Sequence, residues 1–313
     1  MKKFFQKYLF FVKNLWHRFL VIKNKIYAKT HRSLKGWFER KYKKNFNRKI
    51  NFEDPKLFSE KLYLQMMTFS NPLGKTLVDK IEVKNYFKTK NLSKYITPTY
   101  ACFDKANQIR FDNLQNEFVI KCNHDSGSTF IVNKSKNSIK DRDGRNYSFK
   151  RMKRSLRACL KTSTYYQGFE AQYKDVVPRI LVEELIKPEN GEFLADYKIF
   201  CNYGRPVFIY IVVGRTNKGE KTIFVDKDFN LIWTNSEEYK NDYKRFKPDL
   251  LDEMFEFASK ISTEFQIARV DLYYTKSLGI RFGEIAFSHY GGTNTGASYP
   301  DYENDLKLGG MLK

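Results

Sequence analysis

A hairpin bearing two carboxylates constrains this chain more than any other feature. In IARVDLYYTKSLGIRFGEIAF, residues 267 to 287, the turn-like Ser277-Leu278-Gly279 separates two runs that alternate as strands do. Centring the hairpin between Ser277 and Leu278 sets Asp271 opposite Glu284. Directly opposed side chains on one sheet face stand about 5 Å apart, where two like charges repel. A cation between them removes the repulsion. Alternation sends Val270, Leu272 and Ile285 to a buried face and leaves Asp271, Glu284 and Arg269 on an open one. Two carboxylates and an arginine on a rigid hairpin point to magnesium and phosphate. A plain solvated hairpin face is the competing reading, and the pair alone does not choose between them. A register shifted by one residue would separate the acids.

The chain has 313 residues, enough for two or three packed lobes, and its 42% hydrophobic and 17% aromatic content fits a folded α+β protein rather than disorder. Cys102, Cys122, Cys159 and Cys201 are far apart in sequence with no CxxC spacing. This argues for reduced, cytosolic thiols and against a zinc site or disulfide framework.

The net charge of +22 is uneven: residues 1–50 hold 16 Lys/Arg and one acid, Glu39. There Phe4, Phe5, Tyr8, Leu9, Phe11, Val12, Leu15, Trp16, Phe19 and Leu20 recur at helical spacing, with Lys2, Lys3, Lys7, Lys13 and Arg18 mostly opposite. Charges interrupt the run too often for a transmembrane helix or a signal peptide. A basic amphipathic helix over residues 1–35 fits an acidic membrane surface. Two alternatives are packing on the protein's own core and nucleic-acid binding; no recognisable nucleic-acid module accompanies the segment, so no nucleic acid is expected.

Along the body, helices are expected over Lys56–Phe69, Leu77–Lys90, Phe149–Leu160 and Asp249–Phe265, the last capped by Asp249. Strand-like runs fall at Glu117–Lys121, Thr129–Val132, Arg179–Leu185, Asp196–Tyr203, Val207–Val213, Thr222–Val225 and Asn230–Trp233. The expected organisation is a basic helical region over 1–45, a short helical lobe over 46–115, a nucleotide-binding lobe over 116–186 and a metal-binding lobe over 187–313.

Several residues have two readings. Lys121 precedes His124-Asp125-Ser126-Gly127-Ser128, either an ordinary turn or a loop whose N–H groups close over a polyphosphate; it lacks the Walker pattern. Glu183 and Glu184 end a buried run, either meeting solvent or accepting bonds from adenine and ribose. Asp196 and Lys198 share a strand face as an ion pair or as a held phosphate contact, and Lys80 is a surface lysine or another such contact. His124 and His289 sit in glycine-containing loops without metal-ligand spacing.

The order of the pieces is distinctive: VDKIEVKNY (78–86), FVIKCNHDSGS (118–128), ILVEELI (180–186), DYKIF (196–200), ARVDLY (268–273) and FGEIAF (282–287). Over roughly residues 50–310 the chain resembles the ATP-grasp superfamily, and within it the teichuronopeptide-synthesis group associated with surface polysaccharides. The resemblance implies two α+β lobes with antiparallel sheets clasping ATP, and a carboxylate–amine ligase acting through an acyl phosphate. It implies Lys121 at adenine and the α-phosphate, His124–Ser128 over the β- and γ-phosphates, and Glu183 and Glu184 near adenine and ribose. Lys80 and Lys198 would contact phosphate, Asp196 would help hold the nucleotide, Asp271 and Glu284 would ligate Mg2+, and Arg269 would stabilise the transition state. Ala286 stands where many relatives have a second metal-binding Asn, leaving water or Asn294 to serve a second ion. The loop Ser288–Gly296, with His289, Gly291, Gly292 and Asn294, is the candidate for substrate contact. The substrates implied are a uronic-acid-containing glycan and an amino acid or amine, handled at the cytoplasmic membrane face. A glycosyltransferase or glycan kinase, and a non-catalytic membrane or polysaccharide adaptor, are the rival readings.

Overall fold

The computed structural model describes residues 19–30, 33–125, 127–189, 194–216 and 219–312. Two antiparallel sheets organise the chain. The smaller has the order β1-β5-β2-β3-β4, from β1 (Thr99–Phe103), β2 (Glu117–Cys122), β3 (Phe130–Asn133), β4 (Ser138–Asp141) and β5 (Ile180–Glu183). Phe118, Ile120, Cys122 and Ile180 alternate inward and meet Met152 and Leu156 of the helix Phe149–Cys159, closing a core of their own.

The larger sheet has the order β11-β10-β6-β7-β8-β9, from β6 (Asp196–Asn202), β7 (Arg205–Thr216), β8 (Gly219–Asp226), β9 (Leu231–Thr234), β10 (Ala268–Thr275) and β11 (Gly279–Ala286). Both faces are covered, which is why β6 is buried along its whole length. Ile199, Ile209, Ile211, Val270 and Leu272 pack under the helix Leu251–Ser262 through Met254, Phe257 and Ile261. On the other face Phe200, Phe208 and Tyr210 pack against Phe58 and Leu62 of helix Phe58–Thr68 and Leu308 of helix Tyr302–Met311. One step beyond Phe200 that face turns polar, to Lys198 and Asp196, and β10 presents Asp271 beside Lys198. The site begins where the apolar cover ends.

Several boundaries differ from the expectations. The helix over 77–90 is two helices, Leu73–Val78 and Glu82–Thr89, broken at Asp79-Lys80-Ile81. Asp79 Oδ1 accepts the N–H groups of Ile81 (2.8 Å) and Glu82 (3.3 Å), so its side chain competes with helix continuation. The segment 46–115 is not purely helical, because Thr99–Phe103 joins the smaller sheet beside β5. Asp249 does not cap its helix; the N-cap is Leu250, and Asp249 accepts from the Tyr274 hydroxyl. Ser138–Asp141 and Tyr302–Met311 had no counterpart in the sequence reading.

Of the expected amino-terminal helix, Phe4 through Arg18 lie outside the described residues. Residues 19–29 are helical. Val21 and Asn24 are buried, Asn24 donating to the Tyr166 carbonyl at 2.8 Å, while Ile22 and Ile26 are each 58% exposed and Phe19 55%. One face packs on the protein and an apolar stripe still faces outward. No helix of the described residues is long and apolar enough to cross a membrane.

Candidate active site

Asp271 and Glu284 are cross-strand partners. The pairing does not arise as the sequence suggested. At the hairpin tip Thr275 pairs with Gly279 and Leu272 with Phe282, a register that alone would place Asp271 opposite Gly283. A bulge between Asp271 and Leu272 makes Gly283 the extra residue and brings Glu284 back across from Asp271. A Cβ on Gly283 would lie 3.0 Å from the Tyr273 ring and 3.2 Å from the Asp271 carbonyl oxygen, so the bulge suits glycine.

The face they share is not open to solvent: Asp271 is 2% exposed. Burial opposes its charge, and two cations favour it. Arg269 donates from Nε (2.7 Å) and Nη2 (2.8 Å), and Lys198 donates at 2.5 Å while also holding Asp196 at 2.6 Å. Glu284, its side chain 25% exposed, pairs with Lys80 at 3.1 Å and Arg269 at 3.2 Å. Burial would raise its pKa, but Lys80, Arg269 and Lys198 together hold it well below the usual carboxylate range.

Lys80 reaches Glu284 because the Asp79 break turns it off the helices. Its Nζ also donates to the Asp125 carbonyl at 3.0 Å, tying the loop of the smaller sheet to the hairpin of the larger. Asp79 Oδ2 accepts from Asn123 at 2.8 Å and fixes the other side of that junction. Desolvation works against the Lys80 ammonium, and Glu284 and Asp125 outweigh it.

On the smaller sheet Glu183 lies between Lys121, in direct contact, and Lys84 at 2.9 Å. Burial is again outweighed, here by the two ammonium groups, and the Glu183 pKa falls. Lys84 was missed from sequence. Its signal was available: Lys80 and Lys84 are four residues apart, although the intervening break, not a helix face, brings both to the site. Glu184 emerges beyond the strand, partly exposed, its N–H donating to the Pro98 carbonyl.

The loop after β2 folds upon itself. Asp125 accepts from Ser128 Oγ (2.5 Å) and the Gly127 N–H (3.3 Å), and Ser128 Oγ accepts from the Cys122 N–H. Ser126 lies outside the described residues. His124 turns into the smaller lobe, with Nε2 3.1 Å from the Thr162 carbonyl and 3.9 Å from Cys159 Sγ, rather than toward the cations. The fold also gathers Cys122, Cys159 and Asp125, with one ligand atom of each within 4.8 Å of the others, which sequence spacing had spoken against. Cys122 as hydrogen-bond partner and burial push the Cys159 thiol up, keeping it protonated.

His289 is not on an open loop. It is fully buried among the rings of Phe58, Phe200, Tyr210 and Tyr299, with Nδ1 3.2 Å from Arg269 Nη1. Burial and the Arg269 charge hold its pKa well below 6.5, so a neutral imidazole stands behind the guanidinium. Gly292 is covered by Tyr63, which donates to its carbonyl at 2.6 Å, while Gly291 faces Lys41 and Glu170. Asn294 Oδ1 accepts from the Gly296 N–H at 2.8 Å, a local turn.

Lys80, Lys84, Lys121, Lys198 and Arg269 therefore face Asp196, Glu183, Asp271 and Glu284 across the two sheets. The one-charge positive excess suits a polyphosphate, and two opposed carboxylates suit a hard divalent cation.

A family model for TupA-like ATP-grasp matches residues 60–313. The chain belongs to the TupA-like ATP-grasp family. No curated protein matches it. Among solved structures it is similar to an L-amino acid ligase from Bacillus licheniformis (11% identity, 76% of this chain, 51% of that one, TM-score 0.44). It is also similar to the D-alanine–D-alanine ligase of Bacillus anthracis complexed with ATP (19%, 76% and 65%, TM-score 0.40). A third is the ATP-grasp ligase PsnB complexed with a phosphomimetic precursor variant, Mg and ADP (11%, 81% and 65%, TM-score 0.38). This chain spans about half of the first of these and just under two thirds of the other two. The family model carries the assignment, and with it the ATP-grasp fold of the two antiparallel sheets and their helices.

Proposed function

We propose that this ATP-grasp protein is an ATP- and magnesium-dependent carboxylate–amine ligase. The observation that carries the reading is the cross-strand pair of buried Asp271 and partly exposed Glu284, held by Arg269, Lys198 and Lys80. Asp271 and Glu284 would hold magnesium, and Lys80, Lys121 and Lys198 the phosphates. ATP supplies the phosphoryl group that turns a carboxylate into an acyl phosphate, which an amine then opens with loss of inorganic phosphate. Arg269, kept charged by Asp271 and Glu284, offsets negative charge on the transferring group, and neutral His289 fixes its direction without adding a competing charge. Water exclusion follows from the burial of Asp271, Arg269 and Lys198.

In this reading the carboxylate is a uronic acid of a capsular or other surface polysaccharide and the amine an amino acid or related compound. The outward stripe Ile22–Ile26, beside exposed Lys23, Lys25 and Lys29, supports peripheral attachment to the acidic inner face of the cytoplasmic membrane, where lipid-linked glycans are built. ADP release from ATP that requires both a uronate-bearing glycan and an amine tests the reaction. Turnover of a nucleotide sugar in place of ATP would contradict it and favour glycosyl transfer.

A further inference from the structure

Beside the phosphate-facing cluster, two opposite charges share a surface without meeting. Lys41, on the helix Leu34–Phe46, places its ammonium 5.0 Å from the Trp37 ring centroid and 5.9 Å from that of Tyr63, and donates to the Gly291 carbonyl. No carboxylate forms an ion pair with it among the described residues, and desolvation lowers its pKa to about 8 although Glu170 pulls the other way. Glu170 accepts from Ser288 Oγ and, at 3.4 Å, from Gln172 Nε2; no cation pairs with it among the described residues.

What separates them is glycine surface. A Cβ on Gly168 would lie 3.3 Å from Glu170 Oε1 and 3.6 Å from Lys41 Nζ, and one on Gly291 would lie 3.3 Å from the same Glu170 oxygen. The backbone on both sides is held in the left-handed region by non-glycine residues, Phe169 (φ 53°) and Tyr290 (φ 47°). Such backbone persists where surrounding structure enforces it, and it clusters at ligand sites. Glu170 is the end nearer the reacting groups. Ser288, its donor, adjoins His289, which touches Arg269, and half-buried Tyr173 is close enough to Glu170, Glu284 and Arg269 to feel all three charges.

A half-buried lysine and a half-buried glutamate that stand this close without pairing leave two charges under-compensated, and a molecule carrying both complementary charges would satisfy them together. We propose that Lys41 and Glu170 form the subsite for the amine substrate of the ligase reading and select a zwitterion. Glu170 receives the ammonium end, toward Arg269 and Glu284, and Lys41 receives a carboxylate. The nucleophile is then a free amino acid, or a molecule with the same two groups equally spaced, rather than a simple amine or an amino sugar. Lys41 precedes residues 60–313 and Glu170 lies within them, so the carboxylate-binding half of this selectivity comes from a segment outside the family match.

The test presents the twenty common amino acids to the full chain loaded with magnesium and a non-hydrolysable ATP analogue, with binding read by saturation-transfer NMR. Each amino acid that binds is compared with its decarboxylated amine and its deaminated acid. The expected result is at least one binder that weakens tenfold or more when either group is removed from the ligand. Lys41→Met and Glu170→Gln should produce the same weakening while nucleotide affinity stays within twofold. The inference is overturned if nucleotide binds and no amino acid does, if the decarboxylated amine binds the unmodified protein equally well, or if both variants bind the amino acid normally. Failure of the nucleotide to bind would strike the ligase reading instead, and the same panel against nucleotide-free protein would still decide the subsite.

Discussion

Glu284 lies across from Asp271, with Gly283 an extra residue in its strand. The hairpin tip sets one register and the bulge resets it by one, and the two carboxylates share one face. Deleting Gly283 would straighten the strand, with Glu284 following Phe282 directly and so still paired with Asp271 on the same face. Deletion of Gly283 should therefore retain magnesium-dependent nucleotide binding with a native far-ultraviolet circular dichroism spectrum. Gly283→Val should overpack against Tyr273 and cost about 1–3 kcal/mol in chemical denaturation. Loss of magnesium-dependent binding in a deletion that keeps its native spectrum would contradict this register.

Asp271→Asn should be costly for stability as well as function. Arg269 and Lys198 would face a neutral amide in a buried setting, and breaking such a pair costs about 3–5 kcal/mol. In Glu284→Gln the loss should be smaller, because Glu284 is partly exposed and Arg269 keeps Asp271. Thermal denaturation checks the order; equal melting temperatures for the two variants would contradict it.

Glu183 should behave as a third buried partner. Its substitution by Gln leaves Lys84 and Lys121 without a carboxylate, so stability should fall by about 3 kcal/mol near neutral pH. The pH dependence has a definite sign. Since the folded-state pKa of Glu183 is lowered, its stabilising contribution is complete above the unfolded value near 4.5 and is lost as pH falls through the lower folded value. Denaturation of wild type and Glu183→Gln should therefore converge on acidification below about pH 4. A gap that persists unchanged at pH 2 to 3 would contradict the assignment.

Much of the fold was legible because strand alternation and helical periodicity were strong in the larger sheet, whose seven-residue β6 and hairpin β10–β11 carry clear apolar patterns. What escaped was local and polar. Asp79 broke a helix by capping its successor, a competition that periodicity does not register. Thr99–Phe103 is a five-residue edge strand with no buried position along its length, so it left no hydrophobic signature. At the site, the opposed acids were visible from symmetry about a turn. The burial of His289 and the partnership of Lys84 with Glu183 were not, because both depend on contacts between segments roughly a hundred or more residues apart.

The outward stripe of the first described helix should act independently of the nucleotide site. Ile22→Asp with Ile26→Asp alters exposed positions and should leave nucleotide binding and melting temperature unchanged. Sedimentation with vesicles containing about one third anionic lipid should fall at least tenfold relative to wild type, and the deletion of residues 1–35 should behave alike. Equal sedimentation of all three proteins would exclude this helix as the membrane contact.

The most direct test is titration calorimetry of ATP into the folded, full-length protein with and without magnesium, repeated for the Asp271→Asn and Glu284→Gln double variant. The account predicts binding that strengthens at least tenfold when magnesium is present and a double variant that has lost that dependence. ATP binding indifferent to magnesium in the wild type, or a magnesium effect that survives in the double variant, would contradict the claim that these two acids hold the ion beside the nucleotide.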